Sequence, residues 1–227
     1  INPSAGITVR LGAATIVNGD LTITTGTLNT SGSNFALTLN GSFTNNATFT
    51  ANGSTVTIGG TSATPNIAGF STTGELSFVR TVSTATLTGN VTAASLTMNG
   101  SGGTLNLGAS LSHTINGSVT LTAGTLNGNS STLSLTGNWT GSATFTASTG
   151  TVNFSGSGAQ TITNTATTFN NLTKAGTGTG TMGVSVIVNG TLNISGGTFS
   201  TSTSNFTLTL NGSFTNSGTF TANGSNV

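Results

Sequence analysis

The chain has 227 residues, and 53 Thr, 34 Gly, 29 Ser and 27 Asn supply 143 of them, so the raw material of an ordinary enzyme is scarce. Five residues are charged (Arg10, Asp20, Glu75, Arg80 and Lys174), beside one histidine, His113, and no cysteine or tyrosine. Three cations are too few to displace the counterions of a nucleic acid, the lack of Cys excludes disulfides and thiolate metal sites, and the longest strongly apolar run, 186–188, falls far short of the roughly 20 residues of a membrane-crossing helix.

Along the chain, apolar residues recur in short alternating bursts: LTI at 21–23, FALTL at 35–39, TVTI at 55–58 and FTLTL at 206–210. Alternation at period two puts Leu, Ile, Val and Phe on one face of a strand and Thr, Ser or Asn on the other. Turn signals separate the bursts, among them Asn18-Gly19, Asn40-Gly41, Asn116-Gly117, Asn189-Gly190 and Asn211-Gly212. No stripe at helical spacing persists, and β-branched residues dominate, so the expected class is all-β. Disorder is disfavoured, because Leu, Ile, Val and Phe number 53 and net charge is +1.

Internal repeats set the expected architecture. Residues 17–56 align without a gap on 188–227, an offset of 171, with 29 of 40 positions identical. A third copy begins at Ile115, where INGSVTLTAGTLN matches VNGDLTITTGTLN. The units expected are therefore 17–114, 115–187 and 188–227, within a single array covering 1–227. Their starts lie 98 and 73 residues apart, and the difference of 25 is close to one extra coil of a solenoid. Segments of roughly 19–25 residues, each with several short strands, predict a parallel β-helix of about 11 coils and a rod on the order of 50 Å long. Both ends look cut from a longer array: 227 stops where the first copy continues, and no initiating Met or signal-peptide pattern is present.

Candidate chemistry is sparse. One Asp and one Glu, 55 residues apart, do not make the paired carboxylates of a glycan-cleaving β-helix, and Asp20 is replaced by Ser118 and Thr191 in the other copies. No catalytic, cofactor-binding or metal-ligating residue is expected. Glu75 and Arg80 are expected as a surface pair, and His113 as an incidental surface or turn residue. Gly102-Gly103 and Gly196-Gly197 lack the Asp of calcium-binding repeats. The pairs Phe43/Phe49, Trp139/Phe145 and Phe214/Phe220 keep a six-residue spacing at matching points of the copies and are expected to fill the core. Pairs of the form T-x-T (Thr48/Thr50, Thr144/Thr146, Thr219/Thr221) suit ice binding only if they recur on nearly every coil, and these lie several coils apart. Sequons of the form N-x-S/T, as at Asn40, Asn52 and Asn116, follow from the composition.

The repeated VNGxLxIxxGTL and NGSFTNxxTFTANGS units resemble the Thr/Asn/Gly-rich repeat regions of bacterial surface β-helix proteins, such as autotransporter passengers and filamentous-haemagglutinin-like adhesins. The resemblance implies an extracellular or cell-surface, elongated and passive structure serving as filament, stalk or adhesin rod. The single Asp and single Glu argue against an enzyme, and the near-zero net charge favours association of the chain with itself, with cell-surface glycans as a further candidate partner. An ice-binding β-solenoid and a glycan-binding adhesin or phage-fibre segment are the alternatives. No nucleic-acid partner, membrane insertion or cofactor is expected.

Overall fold

In the computed structural model, residues 1–62, 64–165 and 167–227 are described, and these contain strands and turns but no helix. All strand pairs are parallel, and each strand pairs with one lying about 20 residues further along. The chain is a β-solenoid of about 11 coils, as the repeats predict.

Each coil contributes three short strands, stacked in three ladders that form the faces of the rod. The first face runs from Thr8–Arg10 through Thr27–Asn29 and Thr48–Thr50, and, after an interruption, from Phe70–Ser71 to Phe214–Asn216. The second runs without a break from Thr15–Val17 to Thr219–Thr221. The third begins at Leu21–Ile23 and ends at Leu208–Leu210, interrupted between Thr144–Thr146 and Thr168–Phe169. Two strands, Ser95–Asn106 and Val119–Asn127, bend round a corner and serve the second and third faces in turn.

The alternation does the work predicted for it. Inward positions stack coil upon coil: Leu39 on Val17, Ile58 on Leu39, Phe78 on Ile58, Met98 on Phe78 and Leu121 on Met98. All but Val17 are at most 1% exposed. Full burial of each such side chain contributes roughly 1.5–3 kcal/mol before entropy is charged against it. Corners need conformations that most residues avoid, and Ser or Asn takes the left-handed region there, as at Asn52 (φ 50°) and its repeat equivalent Asn223 (φ 50°). At Gly100 the requirement is space: a Cβ would collide with the carbonyl of Arg80 in the preceding coil.

The three aromatic pairs are edge-to-face contacts at one corner geometry, with ring centroids 5.4, 4.9 and 5.6 Å apart and interplanar angles of 73°, 76° and 68°. Phe43 and Trp139 are buried as expected, whereas Phe214, on the last coil, is 44% exposed.

The copies are out of phase with the faces. Val17 ends a second-face strand in coil one, Ile115 a first-face strand in coil six, and Val188 a third-face strand in coil nine. Successive copies are thus separated by four and two-thirds coils and by three and two-thirds coils. The two separations differ by one full coil, which accounts for the 25-residue difference in spacing.

Candidate functional site

Three ionisable side chains, Arg80, His113 and Lys174, lie inside the rod, although Arg80 and His113 are expected at its surface. Arg80 is fully buried; its guanidinium donates to the carbonyl of Gly59 at 2.5 Å and to that of Ser62. It therefore forms no surface pair with Glu75, which is half-buried at the start of the strand Glu75–Phe78, a strand that ends two residues before Arg80. Alternation gives the reason: Leu76, Phe78 and Arg80 share the inward parity, and Glu75 and Ser77 the outward one. Lys174 follows Leu172 inward in the same way, and its Nζ donates to Gly176 O at 2.6 Å and Phe154 O at 3.4 Å. Burial pushes both cations below their ordinary pKa values.

Trypsin therefore meets one accessible basic residue, Arg10, instead of three. Overnight digestion of the native protein should remove only the segment ending at Arg10. Early cuts at Arg80 or Lys174, read by mass spectrometry, would mean that those coils open.

His113 is no surface residue: it is 2% exposed, its Nδ1 accepts from Val91 N at 3.1 Å, and its Nε2 lies 2.8 Å from Leu107 O. These contacts require the neutral ring protonated at Nε2, because a proton on Nδ1 would face the Val91 N–H. Burial lowers its pKa, and the Leu107 hydrogen bond opposes that only in part. The unfolded chain therefore takes up a proton before the folded one does. Stability is complete above the ordinary imidazole value of 6.5 and declines as pH falls below it, by at most about 1.4 kcal/mol per pH unit. Melting scans at pH 7.5 and 5.0 should show that loss in the native chain and not in His113→Leu, since no other histidine is present.

The outer faces carry ladders of hydroxyl and amide groups. Asp20 belongs to this structural set: its Oδ1 accepts from Ser42 N at 2.7 Å, as the Oγ of its equivalent Ser118 accepts from Asn138 N at 3.0 Å. Asn40 donates to Asn18 and Asn211 to Asn189, both at 2.8 Å, one coil apart. Asp20 and Glu75 are three coils apart, or about 14 Å along the axis. Among the described residues no group of three or more His, Cys, Asp or Glu could hold a metal ion.

The three T-x-T pairs fall on three different faces: Thr48/Thr50 on the first, Thr144/Thr146 on the third and Thr219/Thr221 on the second. Stacking supplies what the sequence spacing hides. On the second face, outward Thr38, Thr57, Ser77, Thr97, Thr120 and Thr140 follow one another on six successive coils.

One lateral concavity of about 330 Å³ opens where the first-face ladder is interrupted. It is lined from coil three by Phe49, Thr50, Ala51 and Asn52, from coil four by Ser71, Thr72 and Thr73, and from the two coils beyond by Thr92 and Asn116. Phe49 packs edge-to-face on Phe43 and Phe70, at 5.4 and 6.2 Å. Across the break, Thr73 N donates to Asn52 O at 2.7 Å and holds the coils together. No residue pattern marks this groove, because its two sides come from strands that fail to pair.

Comparison of the chain with protein-family models, with curated proteins and with solved structures found no match.

Proposed function

We propose that the chain is a passive structural segment of an extracellular filament, stalk or adhesin rod, associating with further copies of itself. The observation that carries this reading is the stack of interior side chains, continued through all the coils by parallel backbone ladders. Such a stack resists bending and unwinding, because each coil is held by both neighbours. A surface with five charged residues in the whole chain, two of them buried, offers little repulsion between rods.

Cryo-electron microscopy of the undenatured protein tests the proposal. Continuous filaments with an axial repeat of about 4.8 Å are expected. Discrete single rods at all concentrations would overturn self-assembly.

A second reading, ice binding, draws support from the hydroxyl column of the second face, spaced at about 4.8 Å along the axis from Thr38 to Thr140, with the Glu75 carboxylate beside Ser77. Thermal hysteresis that disappears in Thr97→Lys and Thr120→Lys would favour it over the filament. Hysteresis no greater than that of an unrelated protein would remove it.

A further inference from the structure

We propose that the groove between coils three and four is a binding site for a neutral saccharide unit, independent of whether the rod assembles. The argument begins with an internal control. The segment Ala47–Ala51 recurs as Ala143–Ala147, and in both copies the ladder breaks immediately after the T-F-T strand. In the later copy the break is filled. Asn164, fully buried, donates to Ala143 O at 3.2 Å, Thr167 is buried beside it, and Phe145 is only 7% exposed against Phe169. In the earlier copy nothing equivalent is inserted, Phe49 remains half-exposed, and a cavity of about 330 Å³ stays open.

The lining determines the ligand class. Phe49 offers an apolar aromatic surface, and around it stand Thr50, Ser71, Thr92 and Asn116, whose side-chain oxygens and amide make no hydrogen bond within the protein among the described residues. No acidic or basic residue lines the groove. An aromatic ring surrounded by unengaged neutral donors and acceptors suits a molecule with apolar C–H faces and hydroxyl edges, and a pyranose has both. A charged ligand would find no counter-charge, and a purely apolar one would strip water from four polar groups without replacing its hydrogen bonds. The volume accommodates one or two sugar rings against an open side, so a longer glycan could continue along the rod.

Saturation-transfer NMR on the intact chain tests this, with glucose, galactose, N-acetylglucosamine and cellobiose as probes. Transfer to the ring protons of at least one probe is expected, with affinity weakened at least tenfold in Phe49→Leu or Asn116→Ala and unchanged in Phe145→Leu. Circular dichroism and melting of each variant confirm that the fold is retained, Asn116→Ala being an exposed change that leaves the core untouched. Absence of transfer from all four probes would overturn the proposal. So would transfer that survives both groove variants, or that is lost equally in Phe145→Leu.

Discussion

Replacing Trp139 by Ala is expected to destabilise the chain by about 3–5 kcal/mol, the range for deleting a large buried aromatic side chain. The indole is fully buried and meets Phe145 and Phe169 edge-to-face at 4.9 and 5.7 Å, so the cavity would lie between coils that cannot collapse without breaking ladders. Two further variants separate packing from chemistry. Trp139→Phe restores the residue found at the equivalent positions Phe43 and Phe214, and removes an indole N–H that has no partner among the described residues. Its effect should stay within about 1 kcal/mol, since a lost ring is offset by a lost unsatisfied donor. Phe214→Ala, at the same point of the repeat but 44% exposed, should also cost under about 1 kcal/mol. Urea midpoints of the three variants give the ordering, and equal losses for Trp139→Ala and Phe214→Ala would contradict the burial pattern.

Arg80→Ala should cost about 2–4 kcal/mol, through a cavity and two carbonyl groups left without donors. Relief of a buried charge works in the opposite direction, which keeps the figure below that of the tryptophan. Arg80→Lys should recover most of the loss. Lys174 already holds the carbonyls of Phe154 and Gly176 from an inward position, so an ammonium is a workable tie between coils. If Arg80→Ala unfolds at the same urea concentration as the native chain, the guanidinium contributes nothing to holding coil four against coil three.

Much of the fold was legible because alternation and coil length are local properties. Leu21, Leu37, Val56 and Leu76 announce inward faces, and the 25-residue difference between copies announced a complete coil. The interior Arg80, Lys174 and His113 run against composition, which places ionisable groups outside. Parity held the signal: Arg80 follows Phe78 by two, Lys174 follows Leu172 by two, and His113 precedes Ile115 by two. The phase of the repeats was not legible, because matching residues in two copies reveal nothing about which side of the rod each copy occupies. The groove was less legible still, since it arises from one strand, Thr48–Thr50, that fails to pair with the coil above it.

The third-of-a-coil offset between copies also bears on how such a gene can change. Recombination between matching segments 17–56 and 188–227 would remove or add 171 residues, and the joined chain would resume one face round from where it left off. In a rod with one specialised side that event scrambles the surface and misplaces the core. Here each side presents the same inward aliphatic and outward hydroxyl pattern, so the new junction still finds Leu over Leu and Thr over Thr. Each such exchange therefore changes the rod by eight and one-third coils, about 40 Å, while the part beyond the junction turns by a third of a revolution.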